Sequence, residues 1–342
     1  MNTRLWSRTA LTVTVVGLCA AAIANHDLWA HSSTEALVGG DIYNVWEEGK
    51  RIAAGISPYN RILGQSLREN QNYPTYLPLS YLFVALLDLL GIKSFEAFMQ
   101  TWRPINMVCH LGLGLLTLWV YLKNGKPTAG LLALTILLLG RWSNFIVEVQ
   151  QLEFASVLSL IAAGLTLRQR PTLSAVLLGL SLSIKHLGVL VMPCYLIQLQ
   201  ALAQPTRRSA VMGMLKYSLI ALAIPALLSL PFVLLSGEGF ALNMLFSLSR
   251  QASDHGAATG SRLLFASEEG SRLLMVGLLL FNLLAQYKER IDVWIASTLA
   301  LLIFVQFNPV VFGQYFIWLM SLGLIAAALS RITPSRPDDS QA

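Results

Sequence analysis

Long apolar runs separated by short polar stretches make up most of the chain. Runs of this length, without alternation of apolar and polar positions, are typical of buried or membrane-crossing helices rather than of strands. The pattern therefore predicts an all-α, polytopic membrane protein. After a first run that ends near Ala30, the runs lie at about residues 75–91, 102–122, 128–142, 152–167, 172–184, 187–203, 212–236, 271–286, 291–307 and 310–330.

The one long stretch that apolar residues do not dominate, residues 39–79, follows the first run. Within it, Ile42, Val45 and Trp46 recur at helical spacing after Asp41. This spacing predicts a short amphipathic helix in the plane of the membrane surface, with Asp41 as its N-cap. Gly55 is placed to end the helix.

The basic residues favour one topology, because they occur in short and nearly acid-free connections that the positive-inside rule assigns to the cytoplasm. If these connections are all cytoplasmic, an odd number of crossings separates Arg8 from the outer loop, and one more crossing returns the chain to Lys123. Only one of the runs 75–91 and 102–122 can therefore span the membrane. The first is shorter and contains Asp88, so we interpret it as a re-entrant or surface helix. This leaves about ten transmembrane helices with both termini cytoplasmic. The basic clusters are Arg4/Arg8, Lys123/Lys126, Arg168/Arg170, Arg207/Arg208/Lys216, Lys288/Arg290 and Arg331/Arg336.

The predicted organisation is a single membrane domain over residues 1–332. Its first outer loop covers 31–101 and its second outer loop 237–270, and a polar cytoplasmic tail follows at 333–342. Arg4 and Arg8 precede an apolar run that ends Ala22-Ile23-Ala24, which also resembles a signal peptide with a small-residue cleavage site. We favour an uncleaved anchor, because the apolar run continues to Ala30 and reaches the roughly 20 residues that a spanning helix needs.

Lys185 and His186 interrupt an otherwise apolar segment, residues 172–203. A lysine at the centre of a bilayer costs about 2.5–3.5 kcal/mol by insertion scales. Two short helices that meet at Lys185 and His186 avoid this cost and leave a water-accessible cavity on the outer side. Lys185 and His186 are candidate phosphate contacts, and the alternative is snorkelling and capping at a helix end.

Composition supports the membrane class and excludes several others. Of 342 residues, 55% are hydrophobic and 12% charged, so the net charge of +6 reflects topology and not nucleic-acid binding. The three cysteines lie far apart in apolar runs, which indicates neither a disulfide framework nor a metal site. No nucleotide-phosphate loop or metal-ligand pair is evident, so the sequence assigns no cofactor, and a divalent metal requirement stays open. The cysteines are Cys19, Cys109 and Cys194.

Other polar residues fall at the same outer end in this topology. Gln150 and Gln151 are candidates for binding substrate hydroxyls, and a hydrated helix end is the alternative. Arg262, in the second outer loop, is a candidate phosphate or sugar contact, although a solvated loop has the same composition. Gln314 and Tyr315 are candidate contacts as well, and an aromatic belt is the other interpretation.

Three motifs in the first outer loop resemble those of a known superfamily. They are Asp41 with Tyr43, then Gly55-Ile56-Ser57-Pro58-Tyr59, then Tyr73-Pro74-Thr75-Tyr76-Leu77-Pro78. This loop is similar to that of the C-type superfamily of membrane glycosyltransferases. Within the superfamily it resembles the polyprenyl-phosphate-mannose-dependent family 87 and the catalytic subunit of the first glycosylphosphatidylinositol mannosyltransferase. The later Gln-Tyr-Phe run with a following Trp, residues 314–318, resembles the superfamily's last span.

The resemblance implies that Asp41 acts on the acceptor hydroxyl as general base, with Tyr59 and Tyr76 as substrate-binding residues. It also implies a lipid-linked sugar donor, most often mannose, and an acceptor in or on the membrane. Lys185 matches the superfamily's lysine-containing break, but family 87 commonly has proline where this chain has His186, so the role of the histidine stays open.

The resemblance thus predicts an inverting glycosyltransferase, with the bacterial cell membrane as its favoured location, and two alternatives remain. A transporter or lipid flippase explains the spans and the intramembrane lysine, although we find no paired repeats. A noncatalytic subunit of a glycan assembly complex is the third class, because the chain is short for the family. Its oligomeric state is open.

Overall fold

The computed structural model describes residues 8–30, 34–60, 74–202, 207–249, 268–308 and 311–329. These residues are helical and contain no strand, as the apolar pattern predicts. Three 3-10 turns lie at Thr34–Leu37, Pro58–Asn60 and His186–Leu190. The α-helices are α1 Arg8–Ala30, α2 Asp41–Ala53, α3 Leu79–Leu89, α4 Phe95–Lys123, α5 Pro127–Leu139, α6 Arg141–Val149, α7 Glu153–Thr166, α8 Pro171–Ile184, α9 Met192–Leu202, α10 Arg207–Ser249, α11 Glu268–Tyr287, α12 Val293–Phe307 and α13 Tyr315–Leu329.

Among the described residues, five helical segments are long and apolar enough to cross a membrane. The apolar helices α3, α7, α8, α12 and α13 have 11–15 residues and are too short for this criterion. At 1.5 Å per residue, 15 residues rise about 22 Å, less than the roughly 30 Å of a hydrocarbon core. The five segments are Arg8–Leu28, Phe95–Lys123, Pro127–Val149, Arg208–Leu245 and Glu269–Tyr287.

The centre of the bundle is an antiparallel hairpin of α7 and α8, with α10 packed along α8. Small residues permit this close approach: a Cβ added at Gly179 would lie 2.6 Å from the carbonyl oxygen of Ala221. Ser174 and Tyr217 hydrogen-bond one turn earlier on the same pair of helices. The helices α8 and α10 therefore run in the same direction, and both lead toward the end of the bundle that holds Asp41.

The predicted amphipathic helix forms as α2 and buries Ile42 and Val45 against α3. Its start differs from the prediction in one respect: Gly40 occupies the N-cap position, and Asp41 is the first helical residue. Gly40 is extended and makes no side-chain cap hydrogen bond. Gly55 follows the end of the helix with φ +76°, which confirms its role as the stop.

The break at Lys185 is confirmed. Helix α8 ends at Ile184, Lys185 is extended, and a 3-10 turn starting at His186 leads into α9. Within the predicted second outer loop, 237–270, α10 continues as helix to Ser249. Only Ser236, with φ −152° and ψ 45°, interrupts it. The predicted tail, 333–342, lies outside the described residues.

Candidate functional site

Asp41 is the centre of a polar cluster that joins four parts of the chain. Its Oδ2 accepts hydrogen bonds from Gln151 Nε2 at 2.8 Å and from the Tyr76 hydroxyl at 3.1 Å, with a longer contact from Gln314 Nε2 at 3.4 Å. The three donors share Oδ2 and hold the carboxylate in one orientation. Because Gly40 takes the cap position, the carboxylate is not used to cap α2.

The loop that carries Tyr76 is fixed from two sides. The Tyr59 hydroxyl donates to the carbonyl of Tyr76 at 2.8 Å, and the amide of Tyr76 donates to the Tyr81 hydroxyl at 3.2 Å. Burial, and then the nearby carboxylates of Asp41 and Glu153, raise the pKa of Tyr76 well above its usual range. The phenol therefore stays protonated and donates to Asp41.

Tyr59 lies one layer behind the cluster and not in it. Its fully buried ring packs edge-on against Phe232 and Phe240, with centroids 5.5 and 4.8 Å away. The backbone of α10 also touches it, because a Cβ added at Gly239 would collide with the carbonyl oxygen of Tyr59. Tyr59 thus connects α10 to the loop that carries Tyr76.

Two adjacent glutamines have different environments. Gln150 ends α6 in the left-handed region, with φ 52°, and is 1% exposed. Its carbonyl accepts from Trp102 Nε1 at 2.9 Å, and its side-chain oxygen accepts from Asn106 Nδ2 at 3.2 Å. These contacts orient the turn before α7, which directs Gln151 to Asp41. Gln150 therefore supports the site from the core.

Lys185 forms a buried ion pair with Glu153 beside the Asp41 cluster. The pairing follows from the hairpin, because α7 and α8 each have 14 residues, so the start of one lies beside the end of the other. The side chain of Glu153 is fully buried and that of Lys185 is 6% exposed. Glu153 Oε2 has no hydrogen-bond partner among the described residues.

Aromatic rings flank the ammonium group of Lys185. Its Nζ lies 5.3 Å from the ring centroid of Tyr76 and 5.9 Å from that of Tyr315. Both distances are within the range of cation–π attraction. Gln314 and Tyr315 lie at the start of α13, so the last described helix forms one side of the site.

The structure brings together most of the predicted site residues but not all. His186 is half-buried in the 3-10 turn after Lys185. Arg262 lies outside the described residues. Sequence reasoning did not identify the Glu153–Lys185 pair, or the supporting roles of Trp102 and Asn106. The signal for such a pair is that Glu153 lies near the start of the apolar run 152–167 and Lys185 directly follows the run 172–184, since two runs joined by a short turn can pack as a hairpin.

The cluster combines an oriented carboxylate, an ammonium group and the rings of Tyr76 and Tyr315. A carboxylate in this setting can accept a proton from a hydroxyl, and an ammonium group can stabilise a phosphate. Within the described ranges, no group of three or more His, Cys, Asp or Glu is placed to hold a metal ion. The chain matches no protein-family model, no curated protein and no solved structure.

Proposed function

We propose that the chain is an inverting membrane glycosyltransferase that moves a monosaccharide, most often mannose in the enzymes its loop resembles, from a polyprenyl-phosphate donor to a lipid or glycan acceptor. The observation that carries the proposal is the convergence of three donors on one oxygen of Asp41, next to the Lys185–Glu153 pair. In this proposal the site faces outward, about ten segments cross the bacterial cell membrane with both termini cytoplasmic, and α2 and α3 lie at the surface.

In the proposed reaction, Asp41 takes the proton of the acceptor hydroxyl. The hydroxyl oxygen attacks the anomeric carbon as the bond from that carbon to the phosphate oxygen breaks. The electron pair of that bond leaves with polyprenyl phosphate, and the configuration at the carbon inverts. Lys185 stabilises the charge that develops on the phosphate, since a cation held in a buried site needs little reorganisation.

A groove beside the site supports a lipid-linked donor. It has a volume of about 380 Å³ and lies between the end of α2, α3 and α10. Phe232 lines the groove and also packs against Tyr59, which bonds to the Tyr76 loop. An isoprenoid chain in the groove would therefore approach the cluster from the lipid side. The lining is Ile52, Gly55, Ile56, Ser57, Leu82, Leu227, Leu228, Pro231, Phe232 and Leu235.

The test is transfer by purified protein in lipid, with radiolabelled polyprenyl-phosphate mannose or glucose as donor and a membrane-lipid extract as acceptor pool. A labelled product that requires Asp41 supports the proposal. If folded protein gives no product from either donor, the glycosyltransferase assignment is wrong for these substrates and the alternatives gain weight.

A transporter or flippase is the second candidate, and the buried Glu153–Lys185 pair favours it. Paired charges at a break between short helices also occur at substrate pathways of transporters. Lipid or solute flux through reconstituted protein, without a glycosylated product, would distinguish this function. A noncatalytic subunit would show neither flux nor transfer unless its partner proteins are added.

A further inference from the structure

A second cavity lies at the end of the bundle opposite Asp41. Helix α7 begins in the Asp41 cluster and α8 ends there, so the turn between them, residues 167–170, is about 21 Å away along the hairpin. The cavity has a volume of about 290 Å³ and lies between this turn, the end of α9 and the first part of α10. It is therefore separate from the proposed active site.

The lining of this cavity combines two cations with an apolar wall. Arg168 and Lys216 are exposed side chains that line it, and its lining contains no Asp or Glu among the residues that the structure describes. The sequence has no acidic residue between Glu153 and Glu238. The lining residues are Leu167, Arg168, Pro171, Thr172, Leu199, Leu202, Ala210, Gly213, Lys216, Tyr217 and Ile220. Charge complementarity thus favours an anion with an apolar portion.

The depth of the cavity fits the headgroup level of a bilayer. Ser236 lies 20 positions after Lys216 along α10, a rise of about 30 Å, which is the thickness of a hydrocarbon core. Ser236 interrupts the helix and its hydroxyl donates to Asn60, near the Asp41 end. When Ser236 lies at one boundary of the hydrocarbon, Lys216 lies at the other.

The wall of the cavity is held in place by hydrogen bonds. The Ser174 hydroxyl donates to the carbonyl of Ala163 at 2.7 Å, so it accepts from the Tyr217 hydroxyl, 2.9 Å away. These bonds connect α7, α8 and α10 next to the turn that carries Arg168. A ligand therefore meets a formed pocket and does not have to order it.

We propose that this cavity binds an anionic phospholipid from the leaflet opposite Asp41. The phosphate lies between Arg168 and Lys216, and an acyl chain lies along Leu199, Leu202 and Ile220. Basic pockets between helices on one side of a membrane are suited to anionic headgroups. Lipid binding at this cavity requires no chemistry at Asp41, so its test does not depend on the proposed transfer reaction.

The experiment is native mass spectrometry of the full chain in detergent, titrated with phosphatidylglycerol or with phosphatidylcholine of the same acyl chains. We expect preferential retention of phosphatidylglycerol. The double variant Arg168→Gln/Lys216→Gln should lower the retained fraction about tenfold at limiting lipid. The matched control is Arg170→Gln/Arg208→Gln, which removes the same charge outside the lining.

Equal losses in the two double variants would mean general charge attraction and would overturn the site. Retention of phosphatidylcholine equal to that of phosphatidylglycerol would also overturn it. A third variant, Leu199→Trp, keeps all charges and fills the apolar wall, so it should reduce phosphatidylglycerol retention without a change in melting temperature. If soluble glycerol phosphate displaces phosphatidylglycerol completely at equal concentration, the cavity binds the anion alone and the lipid assignment is wrong.

Discussion

Replacing Asp41 by asparagine changes the charge of the candidate base with little change in shape. The amide oxygen of asparagine can occupy the position of Oδ2 and still accept from Gln151 and Tyr76. Its amino group then occupies the position of Oδ1, where no described residue donates. The substitution therefore does not place the new N–H donor against another donor. The loss of stability should therefore be about 1 kcal/mol, from weaker hydrogen bonds and a lost helix-dipole interaction.

The effect on transfer should be much larger than the effect on stability. A positioned general base contributes about 100-fold to 10,000-fold to a rate. At about 1.36 kcal/mol for each factor of ten, this corresponds to about 2.7–5.4 kcal/mol in the barrier. The assay compares labelled product from polyprenyl-phosphate mannose for the wild-type chain and Asp41→Asn, in the same lipid and at the same protein concentration, together with a melting curve for each.

The control is Glu47→Gln, which removes a carboxylate from the same helix six residues after Asp41. This position lies about 9 Å along the axis and makes no contact with the cluster partners of Asp41. Transfer by Asp41→Asn within about threefold of wild type would refute the base assignment, because it is far less than the factor of 100. Equal loss in both variants would mean that any carboxylate on α2 is needed for folding.

Three further changes examine the parts that surround the base. Gln151→Ala removes the 2.8 Å donor to Asp41 and should lower kcat about tenfold at unchanged KM; a higher KM alone would indicate substrate binding instead. Lys185→Met leaves Glu153 as an unpaired buried charge and should destabilise the fold by about 3–5 kcal/mol. Lys185→Met with Glu153→Leu should restore the melting temperature but not transfer, and restored transfer would contradict a phosphate contact. Gly239→Ala collides with Tyr59 and should destabilise the fold by about 1–3 kcal/mol and reduce transfer. At Gly237, a Cβ has nothing within 4 Å, so Gly237→Ala should change neither; a similar loss in both variants would refute the packing argument.

The features that were predictable depend on neighbours in the sequence. The amphipathic α2 follows from the spacing of Ile42, Val45 and Trp46, and its end follows from Gly55. The break after α8 follows from the cost of a lysine inside an apolar run. The cap of α2 was assigned one residue too late, because Gly40 and Asp41 are both compatible with a helix start and local propensity does not separate them.

The two adjacent glutamines show where local reasoning ends. Gln150 and Gln151 were equivalent candidates, since both are polar residues at the same end of an apolar run. The left-handed conformation of Gln150 turns its side chain toward Asn106 and leaves Gln151 to reach Asp41. That conformation depends on contacts with α4, 44 residues earlier in the chain, which no local pattern specifies.

The sequence by itself determined an all-helical fold with several helices apolar enough to cross a membrane, the amphipathic pattern of α2 and the break at Lys185. These depend on helical period and on transfer free energies, which are properties of short segments. Only the tertiary structure decided that donors 110 and 273 residues away converge on Asp41, and that Lys185 pairs with Glu153. The physical reason is that such contacts depend on how helices pack side by side, and packing is set by side-chain shape across the whole bundle.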